Sequence, residues 1–216
     1  MLQIIFLVLF FADYGLHLYG TYLEHKKIRW ITKPLLVPFI TLFYVSGTFP
    51  LINIFLIVGL IFGWLGDVFL MIGREGKWFI LGLGSFLIGH IFYIVTFLLS
   101  IPNLLNFSLL GFLYIIPAAF IALYVLYKVK GKMGDMTKPV LVYMGVIFLM
   151  GFSAVLRYAG DQGLSFFLVL IGSILFILSD GFIALDKFNK KIKHVHVYIM
   201  STYAIAQLFI AYGFLI

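Results

Sequence analysis

The sequence predicts an all-α polytopic membrane bundle of eight transmembrane helices, arranged as a four-plus-four parallel internal repeat. Three observations lead there. Hydrophobic residues make up 64% of the 216 positions and charged residues 11%, a composition that leaves too little polar surface for a soluble domain. Lys and Arg gather in alternate loops. The tripeptide Thr32-Lys33-Pro34 recurs as Thr137-Lys138-Pro139, and each copy precedes an apolar stretch that holds one acid, Asp67 or Asp180.

The first apolar run, Leu2 to Tyr19, has no cationic segment before it and reads as a retained helix, not a cleaved signal. From Pro34 to Leu70 the only charge is Asp67. One helix of that length would extend about 55 Å, against a hydrocarbon core of about 30 Å. The run must therefore fold back, at Gly47-Thr48-Phe49-Pro50, giving spans Pro34 to Thr48 and Leu51 to Met71. Trp78 to Tyr127 carries no Asp, Glu, Lys or Arg and breaks at Ser100-Ile101-Pro102-Asn103, giving Trp78 to Leu99 and Phe107 to Tyr127. Pro139 to Leu156, Leu164 to Leu185 and Val195 to Leu215 complete the eight. The whole chain reads as a single integral membrane domain, with repeat one over about 1–99 and repeat two over about 107–216.

Fourteen of the fifteen basic residues fall in the loops after helices one, three, five and seven, and only Arg157 falls in the others. Cytoplasmic loops retain positive charge, so both termini are expected outside, in a plasma or inner membrane. The net charge of +7 then reflects orientation and anionic lipid heads, and nucleic acid is not an expected partner. Both halves start on the same side, so the repeats are parallel, related by an axis along the membrane normal. With no cysteine in the chain, disulfide and thiolate chemistry are excluded.

Asp67 and Asp180 lie about five and six residues before their basic loops, which puts both about 8 to 9 Å below one face. A pseudo-twofold axis would bring them together as a candidate catalytic pair; the alternative is two helix-end acids that snorkel or make structural hydrogen bonds. His90 and Tyr93 share a face of helix four, and Tyr203 and Gln207 share a face of helix eight. These four are candidates to orient the acids or line a head-group pocket, or else to fasten helices. Lys33 and Lys138, each before a Pro at an expected helix start, are candidates to meet a phosphate or an acid. Asp13 and His17, an i,i+4 pair in helix one, read as a possible accessory to the cavity. His194 and His196 read as part of a solvated loop, and no metal site is expected.

Thr32-Lys33-Pro34-Leu35, the run from Gly63 through Asp67 to Met71, the run from Phe86 through His90 to Tyr93, Gly172-Ser173 through Ser179-Asp180, and Tyr203 to Gln207 together resemble the YhhN-type lysoplasmalogenase family. The resemblance extends from about Thr32 to the C-terminus. It implies hydrolysis of the vinyl ether bond of lysoplasmalogens, which releases a fatty aldehyde and glycerophospho-ethanolamine or glycerophospho-choline. Such hydrolysis needs a proton at the carbon beta to oxygen and a water for the resulting oxocarbenium ion. Paired carboxyls suit that task, as they do in glycosidases, and no metal or organic cofactor is required. The expected partners are a lysophospholipid substrate and membrane lipids. A proton- or cation-coupled transporter and a non-catalytic lipid-binding membrane protein are the competing readings.

Overall fold

A computed structural model of the chain describes residues 1–73 and 75–216; Arg74, counted above among the loop cations, lies outside the described residues. Among the described residues, eight helical segments are long and apolar enough to cross a membrane. The eight α-helices are α1 (Leu2–Tyr22), α2 (Lys26–Thr48), α3 (Ile54–Ile72), α4 (Gly76–Leu99), α5 (Ile116–Val129), α6 (Thr137–Leu156), α7 (Leu164–Phe188) and α8 (Val195–Gly213). The chain is a multi-pass integral membrane protein. Its backbone divides into two compact units, Met1–Thr96 with Leu215, and Phe97–Phe214 with Ile216.

In the first unit α2 starts eight residues before the expected Pro34 and contains both Pro34 and Pro38. The sequence reading stopped at Thr32-Lys33-Pro34 because proline disfavours a helical residue before it and lacks the N–H that closes a turn. The helix passes through Pro38 because the acceptor that this proline frees finds another donor. Pro38 cannot serve the carbonyl of Pro34, and the indole N–H of Trp64 on α3 donates to it at 2.9 Å. Lys33 is therefore in a helix interior, which corrects its expected place at a helix start. His25 caps the early start by accepting the backbone N–H of Ile28, and Asn53 caps α3 by accepting that of Leu56 at 3.2 Å. Helix α4 lies close against α3: a Cβ on Gly66 would fall 2.7 Å from the ring of Phe86, so glycine beside Asp67 is what admits the aromatic side chain.

In the second unit the fifth span is a composite. Ser108 caps a 3-10 segment over Leu109–Ile115, and α5 follows with Pro117 in its first turn. Pro117 has no N–H for the carbonyl of Leu113, and Ile116 takes that carbonyl through a tighter i→i+3 bond. Ile116, Phe120, Leu123 and Tyr127 form an exposed apolar stripe along α5, the face a lipid-bathed helix presents. Val125, Val129, Met133 and Val140 are buried against Ala184, Leu185 and Phe188 of α7. Helices α7 and α8 approach at backbone distance: a Cβ on Gly172 would fall 2.9 Å from the carbonyl oxygen of Ala206 and 3.2 Å from the nitrogen of Ile210.

The units are organised differently inside. Helix α1 lies along α2 over most of its length, whereas α5 packs mainly on α7. Thr137-Lys138-Pro139 opens α6, while its sequence counterpart is inside α2.

Candidate functional site

Asp67 is 3% exposed, and its carboxylate forms an ion pair with the Lys33 ammonium at 3.0 Å. The same ammonium donates to the Asp67 carbonyl at 3.3 Å. The approach follows from two antiparallel helices joined at this level by the neighbouring Pro34–Trp64 bond. A carboxylate so deep in a span is costly on its own, and the ammonium offsets that cost. One residue earlier, Thr32 Oγ1 donates to the Ile28 carbonyl at 2.8 Å and is 2.7 Å from His17 Nδ1. His17 is 1% exposed. It serves as a bridge from α1 to the Lys33 turn, whereas Asp13, one turn away, is half-buried.

Two openings flank this pair along the seam between α2 and α3. At the Lys26 end is a cavity of about 680 Å³, lined by Glu24, Lys26, Arg29, Trp30, Lys33 and Glu75 with Leu70, Met71 and Gly73. In the other direction, an apolar groove of about 340 Å³ is lined by Val37, Pro38, Thr41, Leu42, Ile61 and Trp64. The Thr41 hydroxyl is turned back onto the Val37 carbonyl at 2.9 Å, which removes its polarity from the groove. Lys33, and with it Asp67, occupies the level between polar cavity and apolar groove.

His90 and Tyr93 are each 1% exposed. Tyr93 is seated on Gly59 of α3, where a Cβ would fall 2.7 Å from its ring, and His90 lies between this contact and the Phe86–Gly66 contact.

In the second unit Asp180 accepts the phenol O–H of Tyr143 on α6. Tyr203 and Gln207 are buried on α8, where the Gln207 amide donates to the Tyr203 hydroxyl at 3.1 Å and the Tyr203 ring meets Phe176 edge-on at 5.3 Å. Lys138 is exposed in the first turn of α6. His194 lies in the turn before α8, within the expected loop although half-buried, whereas His196 is inside the helix, which corrects its expected place.

Sequence reasoning missed Tyr143 and Trp64. Neither stands out among the many aromatic residues of the chain, although each carries a polar group that a span must satisfy. The polar partner of an intramembrane acid was the signal to search for, one helix away.

The fold, the buried Asp67 and the half-buried Asp180 define a polytopic helical membrane protein with ionisable groups held inside its spans. Residues 28–214 match the YhhN family, and the chain belongs to it. Among similar proteins, lysoplasmalogenase TMEM86A of Homo sapiens is 35% identical over 157 residues, covering 71% of this chain and 62% of that protein. Lysoplasmalogenase TMEM86A of Bos taurus is 34% identical with the same coverage. Lysoplasmalogenase TMEM86B of Homo sapiens is 34% identical over 132 residues, 61% of this chain and 52% of that protein. The chain thus spans about 62% of the length of the TMEM86A proteins it matches. No solved structure matches it.

Proposed function

We propose that the chain is a hydrolase of the lysoplasmalogenase type, which cleaves the vinyl ether bond of an alkenyl lysophospholipid with Asp67 and Asp180 as its acid–base groups. The observation that carries this reading is the position of the Lys33–Asp67 pair between a charged cavity and an apolar groove. A lysophospholipid has the same order: polar head, then the ether linkage, then the chain. A head in the cavity with its chain along the groove leaves the linkage level with Asp67. The similarity to proteins named lysoplasmalogenase supports the same substrate class.

The chemistry asks little beyond placed protons. One carboxyl group delivers a proton to the alkenyl carbon beta to oxygen, and the resulting oxocarbenium ion is steadied by nearby negative charge. Water, deprotonated by the other carboxylate, adds to the alpha carbon. The hemiacetal then collapses to a fatty aldehyde and the glycerophospho alcohol, with one water consumed in all. Lys33 and Lys138 supply positive charge for the phosphate, while His90, Tyr93, Tyr203 and Gln207 order the polar lining. The reading is tested by incubating purified protein with an alkenyl lysophospholipid and measuring free aldehyde by mass spectrometry. Asp67→Asn and Asp180→Asn are expected to be folded and inactive; near-wild-type turnover in both would remove the acids from the mechanism.

A further inference from the structure

We propose that the cavity at the Lys26 end of the first unit is a head-group site that selects phosphoethanolamine over phosphocholine, with Glu24 and Glu75 receiving the primary ammonium and Arg29 with Lys26 the phosphate. The inference rests on the lysophospholipid reading above and deepens it. A volume of about 680 Å³ is ample for a small polar group. The lining carries both signs of charge: Lys26, Arg29 and Lys33 against Glu24 and Glu75. A site for a simple anion has no use for two carboxylates, and a site for a simple cation has none for three basic groups. A zwitterion answers both. Lys33 is shared with Asp67, so Lys26 and Arg29, three apart on one face of α2, are the further cations among the described residues that complete the phosphate's partners beside it. Leu70 and Met71 make part of the wall apolar, as suits an amphiphile entering from the bilayer.

The choice of ethanolamine follows from the cation-binding groups. A trimethylammonium has no N–H and is held best by open aromatic faces. Among the described residues Trp30 is the one aromatic lining the cavity, and its ring is already covered by the Lys26 ammonium, 5.7 Å from the centroid. Carboxylates remain, and a primary ammonium offers them three N–H donors in charge-assisted hydrogen bonds.

The test uses the full chain in detergent or nanodiscs. Binding of saturated 1-alkyl ether lysophosphoethanolamine and lysophosphocholine, which have no vinyl ether to cleave, is measured calorimetrically beside turnover of the alkenyl lipids. Wild type should prefer the ethanolamine lipid by about tenfold, the worth of one charge-assisted hydrogen bond. Glu24 has a positive φ of 54°, which Asn tolerates, so Glu24→Asn with Glu75→Gln removes both charges from exposed positions without a new backbone strain. In that double variant the preference should fall to near unity through weaker ethanolamine binding. Equal binding in wild type, or an unchanged preference in the variant, overturns the assignment. Glycerophospho-ethanolamine alone should bind far more weakly than the lipid; equal affinity would give the cavity to a soluble phosphodiester and overturn the lipid assignment. Aldehyde release at equal rates from both alkenyl lipids sinks the head-group selection while sparing the hydrolase; selective binding with no aldehyde sinks the hydrolase while sparing the selection.

Discussion

The indole N–H of Trp64 closes on the carbonyl of Pro34 at 2.9 Å, the acceptor that Pro38, four residues on, has no N–H to satisfy. This bond joins α2 to α3 one residue from Lys33 and three from Asp67. Trp64→Phe should therefore destabilise the protein by about 1 to 3 kcal/mol, the cost of a buried acceptor left unmade. Pro38→Ala restores a backbone donor inside α2. The double variant Trp64→Phe, Pro38→Ala should recover most of the loss, and a double-mutant cycle on thermal unfolding in detergent measures the coupling. Additive effects would show that Pro38 and Trp64 act independently.

Lys33 has a structural task and a proposed chemical one, and these separate. Lys33→Met leaves the Asp67 carboxylate buried without its ammonium, which should cost about 3 to 5 kcal/mol. Lys33→Met with Asp67→Asn removes both charges and should be more stable than Lys33→Met alone. Both variants should be inactive against an alkenyl lysophospholipid. If stability recovers in the double variant while activity does not, the pair is needed for more than folding.

Tyr143 donates its phenol O–H to Asp180 and leaves a different signature. Tyr143→Phe keeps the ring and its packing and deletes one hydrogen bond to an acid. Such a bond is worth about 1.5 to 3 kcal/mol, so aldehyde release should fall by about 10- to 100-fold if Asp180 takes part in the reaction. The readout is kcat against thermal stability. A change in stability with kcat intact would confine Tyr143 to a structural role.

The spans were legible because hydrophobic length and loop charge are encoded locally. All eight apolar runs became helical spans, with the largest displacement at α2. That miss was caused by Pro34: proline is a local stop signal, yet α2 runs through both Pro34 and Pro38, and at Pro38 the freed acceptor is met by a donor thirty residues away in sequence. The two intramembrane acids were legible as anomalies in apolar runs. Their partners were not equally so. Lys33 stood out as a cation before a proline, whereas Tyr143 was one aromatic residue among many in a chain with 19% Phe, Trp and Tyr. The two Thr-Lys-Pro copies read alike, yet Lys33 is half-buried in a helix interior and Lys138 is exposed in a first turn. A tripeptide match carries no information about helix register.

Arg157, the one cation outside the four basic loops, is 6% exposed. Its Nε donates to Ser100 Oγ at 2.9 Å, its Nη2 donates to Ser165 Oγ at 3.0 Å, and its guanidinium carbon is 4.5 Å from the centroid of the Phe214 ring. Ser165 in turn donates to the Gly213 carbonyl at 2.7 Å, so one planar fork ties the end of α6 to the starts and ends of its neighbours within the second unit. Lys cannot span two acceptors in this geometry. Arg157→Lys should destabilise by about 1 to 3 kcal/mol yet leave catalysis intact at permissive temperature, since Asp180 is sixteen residues, about 24 Å, along α7 from its start.

Arg157 also bears on topology. A buried guanidinium fastening helix ends is no free loop charge, so the exception to the charge division has a structural cause. Lys33, paired with Asp67, is set aside on the same ground, and the remaining thirteen of the fifteen basic residues support cytoplasmic loops after α1, α3, α5 and α7. The chain has no cysteine, so single cysteines placed at Asn106 and at Lys190, both exposed, report sidedness directly. An impermeant maleimide applied to intact cells should label Asn106→Cys at once and Lys190→Cys only after the membrane is opened. The reverse pattern would invert the bundle and move the cavity at Lys26, with the head-group end of the proposed substrate, to the outer leaflet.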